Sequence, residues 1–567
     1  MELIGSISSK VLKKTSDYRE MRLLSNFSWF NRIQGSVEII DAARYLEEKL
    51  VELSKDNLEV EVLKFGGSTV PEWIGAPTGW IHRRTWVKVG QVELSSTSHP
   101  TLPVAHSPPS DGKVNGKAVL IGDWKKREEY EKAKGKVVVS SGNPYIVYRL
   151  AMESGALAVL LYSDDLPPQA VPYKSLFINR EEATKFDIPA ASIPNYLVKG
   201  IDGKEVSLFL DSDLKKDPGF PYIVAWIGDR NSKGPAAIAH MCHPSPGAND
   251  NGSGTISTVE SALVLSELIE SGELRSPDKT IRFFLFPEYT GSSVVLQRYS
   301  GLVTETINLD MVGGRPGGGN GPLRLVGSSV SIPSRSAASL YYSLTATSKI
   351  MNFGGFSLVG YEGGSDHDVS ISYGIPSAMI NQWPDKVYHS DLDDVDRISR
   401  EMLKLSSSSA SISLYELSSL EGIDVEVKSY YRELLKEIVY DHVSRGEMTS
   451  AKLSLSLLAE RFGIESSQPP SEWKVEGEET IKSNYPMIGS LNFVARKDLD
   501  VALSLARIVD GGISMSAYLR ELFFLSNSSI KDLYSLIVAE YGERQVKWED
   551  FTNVIKLLSG VGIIEVG

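Results

Sequence analysis

Between Tyr222 and about Ser419 the chain alternates apolar runs with long amphipathic ones, and this alternation constrains the fold more than any other feature. PYIVAWIG, PAAIAHM, KTIRFFLFPE and TETINLDMVGG are nearly continuous apolar runs, the pattern of strands buried on both faces. The segments between them, SGTISTVESALVLSELIESGEL and GSSVVLQRYS, predict helices, with Ser253 as N-cap of the first. The expected fold class is therefore α/β, a sheet covered by helices on both faces. Upstream, after two short helical stretches, Ile39, Ala43, Leu46 and Leu50 fall at helical spacing and predict an amphipathic helix packed on that sheet.

The other regions have different textures. From about Trp86 to Pro218 short β-rich runs (VKVGQVEL, KAVLIG, GKVVVSS) are separated by Gly, Pro and Ser, and YRLAMESGALAVLLYSD reads as helix, Gly turn and strand. Ile188-Pro189-Ala190 opens another β stretch. The aromatic and basic run Trp80 to Trp86 precedes this region, where it forms either a wall of a cleft or a packed hinge. From about Gly422 the chain is mostly helical, and its end reads as three helices and a terminal strand, the order of a winged-helix-like module. Three domains follow: a core of 1–85 and 219–421, an inserted β-rich domain of 86–218, and a helical C-terminal domain of 422–567.

Composition narrows the function classes. A net charge of −13 over 567 residues argues against a chain that grips phosphate backbones. Residues 497–567 hold 7 Lys/Arg against 10 Asp/Glu, a poor clamp for DNA, so no nucleic-acid partner is expected. No apolar stretch reaches the roughly 18–20 residues of a membrane span. The N-terminus lacks the apolar core of a signal peptide, and the single cysteine, Cys242, excludes an intrachain disulfide. These features predict a cytoplasmic protein without a membrane partner.

The chemistry-bearing residues cluster at predicted strand ends, where open α/β sheets bind ligands. His240 and His243 close one strand, and Asp250 lies in the GANDNGSG turn that follows. Glu288 and Tyr289 follow IRFFLF, and Asp310 follows TETINL, where a carboxylate beside an apolar strand needs a positive partner. Ser365-Asp366-His367-Asp368 and Tyr388-His389-Ser390-Asp391 add further polar segments. Imidazole and carboxylate together suit one or two zinc ions, with a position left open for water.

GANDNGSG at 247–254, Asn-Leu-Asp-Met at 308–311, Ser-Asp-His at 365–367 and Tyr-His-Ser at 388–390 resemble the co-catalytic zinc aminopeptidase family. The resemblance spans about 30–85 and 220–420 and implies a phosphorylase/hydrolase-like core. GKVVVSS, ESGALAVLLY and IPAASI resemble a protease-associated domain, and the tail resembles that of an aminopeptidase-like branch of the family. It further implies that Asp250 bridges two metals, Asp310 and His389 each ligate one, and Glu288 is the general base. Where the family has a second Glu, a metal ligand, this chain has Tyr289, so one metal would lose a carboxylate, recruit Asp366 or His367, or be absent. Alternatively Glu288 is itself the ligand. Tyr289 could instead donate to the tetrahedral oxyanion.

The family's His-x-Asp becomes His240-Met241-Cys242, so either His240 or His243 is the ligand, with His243 favoured; Cys242 could ligate as thiolate. The resemblance implies an aminopeptidase that uses zinc, with cobalt or manganese as substitutes, acts on peptides, and is often a homo-oligomer. The rival readings are an amidohydrolase of an N-acyl or aminoacyl metabolite and a scaffold with a degenerate metal site.

Overall fold

The computed structural model describes residues 2–215, 219–419, 424–509 and 513–567. The expected boundaries at 218 and 421 lie outside the described residues. The core is an eight-stranded mixed sheet in the order Leu58–Phe65, Phe220–Ile227, Ile281–Phe286, Gly234–His240, Val303–Leu309, Ser377–Gln382, Leu323–Val326, Ser357–Val359. Its four central strands, Ile281–Phe286 through Ser377–Gln382, are parallel. Every residue of Ile281–Phe286 and of Gly234–His240 is buried, which is why these runs lack a polar face.

Helices cover both faces. Glu38–Leu53, Gly254–Glu270, Arg335–Met351 and Arg400–Leu417 pack together on one, and Thr290–Tyr299 packs with Asp366–Ser372 on the other. Ile39, Ala43, Leu46 and Leu50 are all buried, as their spacing predicts. Ser253 departs from expectation. Its hydroxyl donates to the Asn249 carbonyl and accepts from the Val312 amide rather than capping the helix. Asn251 supplies the cap through Oδ1, 2.9 Å from the Gly254 amide.

A second sheet has seven strands, ordered Val92–Ser95, Gly79–Val89, Glu205–Lys215, Val114–Leu120, Val137–Ser140, Ala158–Leu161, Ala190–Ser192. Its Gly79–Val89 strand already contains Trp80, which is buried among Ile33, Ala105 and Tyr173. Among the described residues beyond 424 the regular structure is helical except for Ile481–Ser483 and Ile564–Val566, which pair antiparallel, and most of 462–490 is irregular. This C-terminal region packs against the second sheet's region: Arg496 Nε lies 3.0 Å from Glu182, and Arg149 donates to the Ala495 carbonyl at 2.7 Å. Among the described residues no helix is long and apolar enough to cross a membrane.

Candidate active site

The carboxyl ends of the four parallel strands converge on one spot, as expected for an α/β sheet. His240 ends its strand, Glu288 lies two residues beyond Phe286, Asp310 directly follows Leu309, and His389 lies on the loop after Gln382. The turn Ala248–Ser253 carries Asp250 over this edge. Asp393 holds that turn, accepting from the Asn249 amide at 2.8 Å and the Asp250 amide at 2.9 Å.

Three ligand groups result, each with its nitrogen, sulfur or oxygen atoms within 4.8 Å of one another: His240, Asp250 and Asp310; His243, Asp250 and His389; and His240, Cys242, His243 and Glu288. Asp250 belongs to the first two. Its Oδ1 lies 3.6 Å from His240 Nε2 and 3.1 Å from His243 Nδ1, and its Oδ2 lies 2.9 Å from His389 Nε2. His240 Nε2 is 3.3 Å from Asp310 Oδ1, and His243 Nε2 is 3.3 Å from Glu288 Oε2. His240 and His243 were alternatives in sequence, and the fold brings both in. Asp366 and His367 are in none of the three groups. Asp366 accepts from the Tyr289 amide and from Ser292 Oγ, and His367 Nε2 bonds the Glu362 carbonyl.

The donor set fits a metal on its own chemistry. His243 Nδ1, Asp250 Oδ2, Asp310 Oδ1 and His389 Nε2 are buried polar atoms without a hydrogen-bond partner, and all four converge on Asp250 or its neighbours. Unsatisfied buried groups of this kind are costly, and a cation with nitrogen and oxygen preference relieves them. The electrostatics agree. Burial disfavours charge on Asp250, yet His243 and His389 hold it well below the usual carboxylate range. Burial likewise opposes a charged His240, but Glu288 and Asp310 push it well above the ordinary imidazole value. Ionised carboxylates face imidazole nitrogens, and a metal can replace the protons between them.

The replaced positions have defined partners. Cys242 Sγ lies 3.6 Å from His240 Nδ1 and accepts from the Glu288 amide at 3.2 Å, so it supports His240 and Glu288 together. Tyr289 donates its hydroxyl proton to Asp368 Oδ2 at 3.0 Å and accepts from Arg520 Nη2 at 3.1 Å. A phenol donates one bond, so this geometry commits it to Asp368 rather than to an oxyanion.

The sequence pointed to none of Arg32, Gln34 and Tyr173, and to Tyr388 only as part of a motif. Arg32, fully buried, donates to the carbonyls of Met241 (3.1 Å) and Gly247 (2.9 Å) as well as Phe27, Phe30 and Pro246, bracketing the segment between His240 and Asp250. Gln34 donates to the Glu288 carbonyl at 3.0 Å. Tyr173 comes from the inserted region and packs its ring on both His243 and His389, at 5.3 and 5.2 Å between centroids. Tyr388 stacks on His389 at 3.8 Å. The dipeptide Tyr388-His389 was the one available signal; the others act across long separations.

Residues 223–411, which contain all of these ligands, match the family model of peptidase family M28. This segment is similar to the peptidases of that family. The fold is similar to that of the zinc aminopeptidase of Bacillus subtilis, at 22% identity and a TM-score of 0.53 over 72% of this chain and 97% of that one. It is also similar to the M28 peptidase precursor of Shewanella amazonensis (16% identity, TM-score 0.54, 74% and 97% covered). A candidate peptidase of Clostridium acetobutylicum is matched over the whole of both chains at 11% identity and a TM-score of 0.51. No curated protein matches the sequence. The M28 match and these folds agree with the co-catalytic zinc aminopeptidase resemblance, and the ligand groups of Asp250 lie within the matched segment.

Proposed function

We propose that the chain is a zinc-dependent aminopeptidase whose two metal positions share Asp250. His240 and Asp310 complete one, and His243 and His389 complete the other, with His243 standing where Tyr289 leaves a carboxylate missing. The carrying observation is the set of unpartnered ligand atoms around Asp250. Zinc, when bound, polarises the scissile carbonyl and makes water acidic enough to attack at neutral pH. Glu288 takes the proton of the attacking water and passes it to the leaving amine, so that the C–N bond breaks as the carbonyl carbon gains a hydroxyl. Its carboxyl is held for that role by His243 on one side, while Cys242 and Gln34 fix its backbone. Tyr388, stacked on His389, keeps its proton because burial and the carboxylates Asp250, Glu288 and Asp310 push its hydroxyl well above the usual range, and a protonated phenol beside a metal ligand can donate to the oxyanion.

Tyr173 supports action at a chain end. Its ring packs on both His243 and His389 and covers that side of the ligand set. An extended peptide bound through its middle needs an open groove on both sides.

The test is release of free amino acids from unblocked and N-acetylated peptides by the zinc-loaded chain, with Asp250→Asn as control. Cleavage of unblocked peptides alone, lost in Asp250→Asn, is the expected outcome. Cleavage of acetylated substrates alone would make the chain an amidohydrolase, and no release from either would point to a scaffold.

A further inference from the structure

Tyr289 occupies an unusual backbone conformation, with φ 55° and ψ −53°. A residue other than glycine is strained at positive φ and holds it only where surrounding contacts over-determine it. The residue immediately before it is Glu288. Releasing Tyr289 to an ordinary conformation would therefore swing the Glu288 carboxyl away from His243.

The contacts that hold Tyr289 are distinct from those that Cys242 and Gln34 make to Glu288. Its amide donates to Asp366 Oδ1 at 2.8 Å, and its hydroxyl sits between Asp368 and Arg520. Asp368 is fully buried and also accepts from the Gly364 amide (2.8 Å) and from the Tyr361 hydroxyl. Its compensating charge is Arg520, whose Nε lies 2.5 Å from Asp368 Oδ2. Arg520 comes from the Ile513–Phe524 helix of the C-terminal region, which packs on the Asp366–Ser372 helix of the core. Gly363 makes room for it: a Cβ there would lie 2.7 Å from Arg520 Cδ. A buried arginine against a buried aspartate costs desolvation at both ends unless the geometry is good, and here the pair also satisfies the phenol.

We propose that Arg520 is a positioning residue of the peptidase site: through Asp368 and the Tyr289 hydroxyl, the C-terminal region holds the strained residue that aims Glu288. This rests on the reading of Glu288 as general base, but the conformational part of it can be measured without turnover. The phenol takes the place of a carboxylate expected at 289, so the position serves the base through its backbone.

The experiment uses the full-length zinc-loaded chain and two variants, Tyr289→Phe and Arg520→Met. Tyr289→Phe removes only the hydroxyl, leaves Asp368 and Arg520 paired, and keeps the volume of the core. Hydrogen–deuterium exchange is followed in peptides covering 286–293 and 240–250, alongside kcat and KM. We expect exchange across 286–293 to rise at least tenfold in both variants, with 240–250 unchanged. We also expect kcat to fall about tenfold in Tyr289→Phe and about a hundredfold in Arg520→Met, with KM within threefold of wild type. The visible spectrum of the cobalt-substituted protein stays unchanged, since no ligand is touched. Wild-type exchange at 286–293 in Tyr289→Phe overturns the proposal, whether or not Arg520→Met folds. So does wild-type kcat in that variant when the parent is active. An inactive parent with the expected exchange pattern would sink the aminopeptidase reading and leave the positioning of 288–289 standing.

Discussion

At the residue scale the site is built by side chains that satisfy backbone groups as much as by those that face the metals. Four of the eight non-glycine residues with positive φ among the described residues, His243, Tyr289, Met311 and His389, are ligands or neighbours of ligands. Such strain persists where neighbours fix it, and Arg32 is the main one for the His240–Asp250 segment. It has no acidic partner within the hydrogen bonds it makes and spends its donors on carbonyls of Phe27, Phe30, Met241, Pro246 and Gly247. Arg32→Met leaves those carbonyls unpaired in a dry interior, at a cost of about 2–4 kcal/mol. A corresponding drop in the denaturation midpoint, together with weaker zinc retention on dialysis, is the expected outcome.

At the element scale the C-terminal helices carry a buried acidic pair. Glu521 on the Ile513–Phe524 helix and Glu540 on the Ile530–Tyr541 helix are both buried. Burial pushes the Glu521 carboxyl up to about 8, with Asp368 adding to it, and burial and Glu521 raise Glu540 well above the usual range. The folded chain therefore keeps a proton that an unfolded glutamate, with a pKa of about 4.3, releases. Stability is fullest below that value and is lost as pH rises through about 8, because the folded state binds more protons across this window. Glu521→Gln removes the Glu521 share of the dependence and leaves the share that burial gives Glu540. Its melting temperature should exceed that of the parent by about 2–4 °C at pH 7–8, with the difference vanishing near pH 4.5, as scanning calorimetry would register.

At the scale of the whole molecule, residues of the second sheet's region and of the C-terminal helices reach the candidate site. The inserted region reaches the metal-ligand loop through a short antiparallel ribbon. The Tyr173 amide donates to the His389 carbonyl at 2.7 Å, and the Asp391 amide to the Val171 carbonyl at 3.2 Å. Asp391 locks it, one oxygen accepting from the Val171 amide at 2.9 Å and the other 2.6 Å from His99 Nδ1. Asp391→Ala frees both and loosens Tyr173 over the cleft. The expected result in steady-state kinetics is a KM raised several-fold with kcat within about twofold, the signature of lost ground-state binding.

The order of apolar and amphipathic runs determined the α/β core by itself, because burial on both faces leaves no polar position in a central strand. It also placed His240, Asp250, Glu288, Asp310 and His389 at strand ends, since local chemistry and strand termination are both properties of short segments. The helix over Glu38–Leu53 was legible for the same reason. Ser253 was misread as a cap because Asn251 and Ser253 compete for one turn, and Val312, distant in sequence, decides which of them faces the helix. Nothing local distinguishes His240 from His243; both enter because Asp250 Oδ1 lies near a ring nitrogen of each. Tyr173, Arg32 and Arg520 leave no periodicity or motif, and their partners lie far along the chain. Only tertiary packing pairs a buried Arg520 with Asp368, because the cost of burying either charge is offset only once the other is in place.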